Sequence, residues 1–171
     1  MTAIISELFI YPLKSAAGIQ LEQSPVDKSG LRYDRRWMLI DHNGDFLSQR
    51  QLPKMALIQP SLDTQGQLSL NAKNMPTIQV PLIEHSIATL PVVIWNTPLK
   101  AHHLSHEVDQ WLSRFLNIDC QLVTLAKDTR RQCDLNYAQQ GDHTTFTDGF
   151  PLLICTQASL DDLNSRLETK V

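Results

Sequence analysis

The sequence predicts a mainly β fold with a few helices, an α+β architecture in which the strands form a β-barrel or a sandwich. Three observations support this prediction. Short β-prone apolar runs alternate with polar turns through the first hundred residues. An Asn-Gly pair, which favours a tight hairpin, separates two of these runs. Apolar residues recur at helical spacing in two later stretches.

The predicted strands follow the apolar runs in chain order. Residues 37–41 and 46–50 are expected to pair across a type I′ turn whose two loop residues are Asn43 and Gly44. A second hairpin is expected around Asn96-Thr97. The other predicted strands cover residues 6–12, 18–26, 55–62, 67–72, 77–81, 92–95, 98–101, 120–125 and 151–156, the last of them buried.

Two helices are expected in the second half of the chain. Ser105 is a suitable N-cap for a helix over residues 106–116. Its apolar residues recur at helical spacing and would form one face, made of Val108, Trp111, Leu112 and Phe115. Ser159 precedes a second helix, with Asp161 and Asp162 in its first turn, where the helix dipole favours acidic groups.

Composition and charge narrow the functional class. The chain has 171 residues, a hydrophobic fraction of 42% and a formal net charge of −3. This balance is typical of a globular protein and argues against a general nucleic-acid binder, which usually carries a basic surplus. No run reaches the ~18 apolar residues of a membrane span, and the N-terminus does not resemble a signal peptide. Three widely spaced cysteines fit a reducing compartment. We therefore expect a cytoplasmic protein that contacts neither nucleic acid nor membrane.

The arginines around the first hairpin are candidate anion ligands. Counting from the predicted turn places Arg35 and Arg50 on one face of the hairpin and Arg36 on the other. The two like charges would lie roughly 7–8 Å apart at Cβ, and Asp34, on the opposite face, could not easily neutralise them. A phosphate or carboxylate between them could do so. The alternative is that both side chains reach water at the strand ends or pair with distant acids.

Lys14 and Ser15 form a second candidate site for an anion, because an ammonium and a hydroxyl group in a turn after a strand suit a phosphate. An exposed turn lysine is the alternative. Residues 128–147 form a long polar loop, which is usually functional or mobile. Arg130 and Arg131 in this loop could close over an anion, but we expect them to be exposed.

The histidines and cysteines do not suggest a metal site or a nucleophile. His102 and His103 would face opposite sides of a strand, His106 lies on the following helix, and His143 lies in the polar loop. We expect these histidines to be solvated, since no metal-binding motif joins them. Cys155 lies in an apolar run and is expected in the core.

Three segments resemble the MOSC-domain proteins. IYPLKSAAGI, GLRYDRRWMLIDHNGDFLSQRQLPKMALI and FTDGFPLLICTQASLDDLNSRL occur in the order and at about the spacing found in that family. The resemblance is greatest to the branch that contains the bacterial YcbX-type proteins and the mitochondrial amidoxime-reducing component. It covers essentially the whole chain. It implies an N-terminal MOSC β-barrel domain over about residues 1–125, followed over residues 126–171 by a linker loop and the beginning of a MOSC domain, another β-rich barrel.

The resemblance also implies an activity. Active relatives bind a molybdenum cofactor (molybdopterin) and reduce N-hydroxylated compounds by two electrons. The implied partners are a small N-hydroxylated substrate and an electron donor, either a flavin reductase or a 2Fe-2S protein or domain. Molybdenum ion binding and pyridoxal phosphate binding are further properties that the resemblance associates with this chain.

The resemblance assigns roles to six residues. In the relatives, the residues that correspond to Lys14, Ser15 and Arg35 contact the phosphate end of the pterin. Arg50 matches a basic position and is expected to support binding electrostatically. The turn that begins at Asp148 matches a segment whose backbone lines the cofactor, which implies backbone contacts from Gly149 and Phe150.

One departure from the family concerns the metal. The relatives bind molybdenum through a cysteine downstream of an Arg-Pro-Asn segment, and neither feature occurs before Val171. Cys120, Cys133 and Cys155 do not align with that cysteine, so no metal ligand and no catalytic residue is assigned. We expect a fragment of a longer product, since a barrel cut after a helix would expose strand edges; a natural truncation is the alternative. A non-catalytic module that binds a phosphate-bearing ligand or carries sulfur is the alternative to an oxidoreductase.

Overall fold

The computed structural model describes residues 4–81 and 89–170, which contain mostly β-strands and two α-helices. The helices are α1 (His106–Leu116) and α2 (Gln157–Arg166), and a 3-10 helix covers Pro53–Leu57. The predicted mainly β fold with a few helices is therefore confirmed. The strands are β1 (Phe9–Ile10), β2 (Ile19–Gln20), β3 (Val26–Asp27), β4 (Gly30–Leu31), β5 (Trp37–Ile40), β6 (Gln59–Leu62), β7 (Leu68–Asn71), β8 (Ile78–Gln79), β9 (Thr89–Ile94), β10 (Thr97–His103), β11 (Gln121–Leu125), β12 (Arg131–Gln132) and β13 (His143–Thr144).

A four-stranded antiparallel sheet in the order β5-β11-β10-β9 forms the centre of the molecule. Successive side chains of a strand point to opposite faces, so Leu39 packs on one face of this sheet while Met38 and Ile40 pack on the other. Each face is covered by its own apolar cluster. This explains why β5 is a continuous apolar run rather than an alternating one.

Helix α1 packs in the cluster on the Leu39 face. Its N-cap is Ser105, whose Oγ accepts a hydrogen bond from the Val108 N–H at 3.5 Å, and Asn117 ends the helix in the left-handed conformation with φ 61°. The predicted helix, its cap and its buried face are all confirmed. The apolar side chains that it buries are Val108, Trp111, Leu112, Phe115 and Leu116.

The other strands form four small antiparallel sheets, β1-β2, β3-β4, β6-β7-β8 and β12-β13. Within residues 4–81 and 89–170 these sheets and the central one do not join into a single closed barrel. The predicted polar loop at 128–147 contains one of them, the β12-β13 pair.

The first hairpin differs in register from its prediction. Ile40 pairs with Phe46 rather than with Leu47. A shift of one residue moves every following side chain to the other face. The predicted strand at 46–50 does not form either, since the chain turns at Gln49-Arg50.

The loop of this hairpin explains the shift. Asp41 and Asp45 pair through the Asp41 N–H, which donates to the Asp45 carbonyl at 2.9 Å, so the loop has three residues rather than two. The Asp41 carboxylate accepts the N–H groups of Asn43 and Asp45 at 2.8 and 3.0 Å. Gly44 adopts φ +85°, which glycine does without strain. This side-chain capping favours the three-residue loop over the predicted type I′ turn.

Two further strand predictions need correction. Ile94 pairs with Thr97, so the turn between β9 and β10 is made by Trp95 and Asn96, both with positive φ, and not by Asn96-Thr97. The predicted strand at 55–62 begins instead as the 3-10 helix Pro53–Leu57, because a proline near the start favours a helical turn, and only its second half forms β6.

The apolar run at 151–156 is not a buried strand. Leu153 and Ile154 are each 85% exposed, and Cys155 is exposed as well, so its predicted place in the core is wrong. An apolar run becomes a buried strand only where another strand pairs with its backbone, and none of the described strands pairs with this one.

The second helix begins earlier than predicted. Thr156, not Ser159, is the N-cap, and its side chain accepts the Ser159 N–H at 3.1 Å. Asp161 and Asp162 therefore lie beyond the first turn, where the helix dipole acts on them less. Neither α-helix in the described parts of the chain has the length and apolarity to cross a lipid bilayer.

Candidate functional site

One cleft contains all the residues that the sequence analysis assigned to cofactor binding. It has a volume of about 490 Å³, within the usual range for small-molecule sites. Arg36, which was predicted to point elsewhere, is exposed and does not line the cleft. The role of the assigned residues stays a prediction, but the structure brings them together. They are Lys14, Ser15, Arg35, Arg50, Gly149 and Phe150.

Two adjacent chain segments bring the first cations together. Leu13 forms a parallel bridge with Trp37, and the Lys14 N–H donates to the Trp37 carbonyl at 2.8 Å. The Arg35 N–H donates to the carbonyl of Tyr11 at 2.9 Å. Lys14 and Arg35 therefore enter the cleft from neighbouring segments that are fixed by backbone hydrogen bonds.

Arg35 and Arg50 both line the cleft, but not for the predicted reason, which was that they share one face of a regular hairpin. Neither residue lies in a regular strand of a hairpin. Arg35 precedes β5 with a left-handed backbone, φ 46°, and Arg50 lies in a turn. Strand alternation therefore does not determine where these two side chains point.

Asp34 pairs with Arg35, although its predicted place on the opposite face made this pairing unexpected. Arg35 Nη1 donates to Asp34 Oδ1 and Oδ2 at 2.7 and 2.6 Å. The Tyr11 N–H also donates to Asp34 Oδ1, at 2.7 Å. The argument for opposite faces assumed an extended backbone at both residues, and φ 46° at Arg35 breaks that assumption.

Lys14 pairs with Asp148 across the cleft. Lys14 Nζ donates to Asp148 Oδ1 at 2.7 Å. Burial lowers the pKa of Lys14 below its ordinary value, and the carboxylate of Asp148 offsets part of this effect. Partial burial acts to raise the pKa of Asp148, but the hydrogen bond and charge of Lys14, with the charge of Arg50, outweigh it and hold that pKa below its usual range.

Arg131 fixes the turn that carries Asp148. Its guanidinium donates to the carbonyl groups of Thr147 at 2.6 Å and Asp148 at 2.7 Å. The residue is buried, so its predicted exposure is wrong, whereas Arg130 is exposed as predicted. Burial lowers the pKa of Arg131. Its hydrogen bonds explain how a charged side chain is held inside, since buried cations need such partners.

Arg50 lies over an aromatic ring in the cleft and forms no ion pair with the residues described there. Its guanidinium carbon lies 4.9 Å from the centroid of the Trp95 ring, and Lys14 Nζ lies 5.4 Å from the same centroid. Arg50 takes part in none of the ion pairs found in the described parts of the chain. An aromatic face attracts a cation but leaves its charge available to an anion.

Backbone geometry at several positions favours a functional role for the cleft. Ser15 adopts φ 66°, and its carbonyl accepts a hydrogen bond from Gln49 Nε2 at 3.0 Å. With Arg35 and Trp95, three non-glycine residues that line one cleft have left-handed backbones, a strained state that is concentrated at functional sites. A Cβ atom added at Gly149 would meet no atom within 4 Å, so the backbone there is open to the cleft.

No sequence pattern predicted that Tyr11, Trp95 and the side chain of Asp148 belong to the cleft. The Tyr11 ring centroid lies 4.4 Å from the guanidinium carbon of Arg35. Trp95 lies in a two-residue turn, where no periodic pattern marks it. Asp148 and Lys14 are 134 residues apart in sequence, so no local pattern could predict their contact.

Two other groups bear on metal chemistry. His103, His106 and Asp109 lie together, although no sequence motif joined these histidines. The His106 side chain is 87% exposed, as expected of a solvated histidine, whereas His103 is 21% exposed and pairs with Asp109. Burial raises the pKa of the Cys120 thiol to about 11, and burial also raises the pKa of Cys133. Both thiols therefore remain protonated near neutral pH, which disfavours them as metal ligands.

The charges suit an anionic ligand. Lys14, Arg35 and Arg50 supply three positive charges, while Asp34 and Asp148 supply two negative ones. Among these five groups one positive charge is uncompensated, and the buried Arg131 behind the Asp148 turn adds a further positive charge nearby. A phosphate or carboxylate group would be attracted to this positive charge, because arginine offers a planar set of donors that matches such groups.

Comparison with known proteins finds relatives over nearly the whole chain. Molybdenum cofactor sulfurase from Bos taurus is 32% identical over 174 residues, which cover 97% of this chain and 20% of the relative. Molybdenum cofactor sulfurase from Homo sapiens is 34% identical over 131 residues, which cover 75% of this chain and 15% of the relative. Mitochondrial amidoxime-reducing component 1 from Danio rerio is 28% identical over 174 residues, which cover 96% of this chain and 53% of the relative. The chain thus spans a fifth or less of the sulfurases and about half of the amidoxime-reducing component.

A family model matches most of the chain. The model of the MOSC N-terminal beta barrel domain covers residues 2–119. This range includes Lys14, Ser15, Arg35 and Arg50 and leaves the Gly149-Phe150 side of the cleft outside. The resemblance inferred from the three sequence segments is confirmed, and this chain belongs to the MOSC N-terminal beta barrel domain family.

Proposed function

We propose that the cleft binds the phosphate end of a pterin molybdenum cofactor. The chain would then be the cofactor-anchoring part of an oxidoreductase that reduces N-hydroxylated compounds. The observation that carries this proposal is the convergence of Lys14, Arg35 and Arg50 on one cleft in which Arg50 has no carboxylate partner among the described residues.

The side chains present fit a phosphate group. The hydrogen bonds between Arg35 and Asp34 use Nη1 alone, which leaves Nη2 and Nε available to phosphate oxygens. An anion beside Lys14 would stabilise the ammonium form that burial disfavours. Arg50, stacked on Trp95, would add a third positive charge. Arg131 would hold the opposite wall in place through its bonds to the Thr147 and Asp148 carbonyl groups.

Bound in this way, the cofactor would supply the two-electron chemistry that replaces N–OH by N–H and releases water. Two protons and two electrons are consumed in that conversion. The electrons would come from a flavin reductase or a 2Fe-2S protein or domain. The similarity to mitochondrial amidoxime-reducing component 1 over 96% of this chain supports this activity.

A second candidate function is a non-catalytic module of a protein that handles sulfur for the cofactor. The relatives named molybdenum cofactor sulfurase favour it, since one is 32% identical over 97% of this chain. Both candidates place a phosphate-bearing molecule in the same cleft. A pyridoxal phosphate would present the same chemical group, so the test must identify the bound molecule and not only its phosphate.

The test measures pterin and molybdenum in the longest natural product of this gene, purified from a host that makes the cofactor. We expect near-stoichiometric pterin. Arg35→Ala should reduce pterin retention at least tenfold, because a lost hydrogen bond to a charged group costs about 1.5–3 kcal/mol. Arg36→Ala is the matched control and should retain the pterin, since Arg36 is exposed outside the cleft.

A second variant of Arg35 distinguishes weaker pterin binding from unfolding of the protein. Arg35→Lys keeps a cation beside Asp34 but removes the planar fork, so it should fold and still bind pterin more weakly. Equal pterin loss in the Arg35 and Arg36 variants, or folded protein with no pterin, would contradict the proposed site. Reduction of an N-hydroxylated compound by the loaded protein with a chemical reductant separates the oxidoreductase from the sulfur-handling module.

A further inference from the structure

We infer that His103, His106 and Asp109 form a binding site for a divalent transition-metal ion, with Zn²⁺ the best suited. Their ligand atoms all lie within 4.8 Å of one another. His103 Nε2 lies 2.6 Å from Asp109 Oδ2, and His106 Nδ1 lies 3.8 Å from the same oxygen. None of the three residues lines the anion cleft, so this site is separate from the one proposed above.

The distances are close to those of a single bound ion. Zinc binds imidazole nitrogen and carboxylate oxygen at about 2.0–2.2 Å, so tetrahedral ligand atoms lie roughly 3.3–3.6 Å from one another. The His103–Asp109 separation of 2.6 Å is that of a hydrogen bond, and the His106–Asp109 separation is 3.8 Å, so an ion would replace the hydrogen bond and draw His106 slightly closer. The His106 side chain is 87% exposed and can rotate toward the ion without disturbing the core.

Regular secondary structure sets the spacing of the three ligands. His103 is the last residue of β10, and His106 is the first residue of α1. Ser105 caps the helix between them, which fixes the angle at which the chain enters it. His106 and Asp109 are three residues apart on α1, and residues at this spacing share one face of a helix.

A hydrogen bond already orients the carboxylate. Asp109 is 7% exposed, and its Oδ1 accepts the Leu122 N–H at 2.8 Å. This bond leaves Oδ2 directed at the imidazole groups. Ligating carboxylates in metal sites are typically held by such an outer hydrogen bond, which fixes the ligand before the metal arrives.

The site is open on one side. Three protein ligands leave a position for water, as in zinc sites that are not purely structural. A second cleft of about 490 Å³, lined in part by His106 and Asp109, gives access to it. Two imidazoles and one carboxylate suit Zn²⁺ and also Co²⁺, Ni²⁺ and Cu²⁺, but not the all-oxygen preference of Mg²⁺ or Ca²⁺.

The competing account is a simple His103–Asp109 ion pair between β10 and α1. In that account the exposed His106 does not bind a metal ion. The experiment is a calorimetric titration of the full chain with Zn²⁺ alone, in a buffer that does not coordinate metal. We expect one ion per chain and a dissociation constant at least tenfold weaker in His106→Ala, which removes a ligand without touching the core.

His143→Ala is the matched control, because His143 is a histidine outside the cluster. Cys155→Ser tests the exposed thiol as a rival ligand. Asp109→Asn should also weaken zinc binding at least tenfold, because the charged carboxylate ligand is lost. The variant should still fold, since the amide Oδ1 can accept the Leu122 N–H. Co²⁺ should give the visible absorption bands of a four-coordinate ion in the unaltered protein and lose them in His106→Ala. Zinc affinity that is unchanged in His106→Ala, abolished in Cys155→Ser, or not saturable would overturn the assignment.

Discussion

The two ion pairs of the anion cleft are built in opposite ways. In the Arg35–Asp34 pair the carboxylate is buried, 4% exposed, and the guanidinium is 28% exposed. In the Lys14–Asp148 pair the ammonium is buried, 7% exposed, and the carboxylate is 70% exposed. Asp34 also accepts the N–H of Tyr11 and so joins two chain segments. The first pair therefore supports the fold, whereas the second can open and give its cation to a ligand.

Replacing Asp34 should have the largest effect. Asp34→Ala removes the acceptor for Arg35 and for the Tyr11 N–H. Removing one partner of a buried pair leaves a charge without compensation, which costs about 3 kcal/mol or more. We expect the free energy of unfolding, measured by urea denaturation, to fall by about that amount.

Asp148→Ala is the matched control for this comparison. Its carboxylate is 70% exposed, and the Lys14 ammonium that it leaves borders the open cleft, where water can take the place of the carboxylate. A pair with one exposed partner of this kind contributes about 1 kcal/mol or less. The free energy of unfolding should therefore change by less than about 1 kcal/mol in this variant. If both alanine variants unfold equally easily, the two pairs do not differ in the way that their burial indicates.

Opening the second pair should strengthen anion binding. Asp148→Asn removes a negative charge from the cleft and frees Lys14 Nζ, which now donates to that carboxylate at 2.7 Å. Because a pair with one exposed partner is worth up to about 1 kcal/mol, sulfate affinity should rise by about three- to fivefold. The measurement is a calorimetric titration with sulfate at low ionic strength, where screening is weakest.

The control for this variant is Asp128→Asn, which changes the net charge equally at an exposed position outside the cleft. It should change sulfate affinity much less. An equal gain in both variants would mean that the net charge of the protein, not the release of Lys14, determines the affinity.

Local sequence signals predicted the parts of the fold that local interactions determine. The Ser105 cap and the apolar periodicity after it gave helix α1 with the correct limits. The Asn43-Gly44 turn failed in register because the Asp41 side chain caps a three-residue loop instead. The run at 151–156 failed because an apolar pattern does not reveal whether another strand is available to pair with it.

The candidate site likewise has features that the sequence predicted and features that depend on long-range contacts. Lys14, Ser15, Arg35 and Arg50 could be identified because three sequence segments resemble a family. Their charge balance could not, since it depends on a contact between Lys14 and Asp148 across 134 residues and on the left-handed backbone at Arg35. Long-range pairs and unusual φ values leave little trace in a single sequence, and here they determine which cation is free.

The smallest effect near neutral pH should be the pH dependence of sulfate binding, and it tests the buried cation directly. Sulfate keeps its charge over this range, so any change comes from the protein. Burial lowers the pKa of Lys14, with Asp148 opposing and the charges of Arg131 and Arg35 adding to the decrease. A bound anion favours the ammonium form, so the pKa of Lys14 is higher in the complex than in the free protein. Binding then takes up a proton whenever the pH lies between these two values.

Sulfate affinity should therefore be constant while Lys14 is fully protonated and should fall as the pH rises through its lowered pKa. Lys14→Arg is the control, because its guanidinium stays protonated at every accessible pH. Its affinity should stay level over the range in which the unaltered protein loses affinity. A parallel fall in both proteins would place the titrating group elsewhere and would remove the buried ammonium from the binding site. A fall in the unaltered protein alone would show that the buried ammonium of Lys14 contacts the bound anion, and that the exposed carboxylate of Asp148 does not determine the pH dependence.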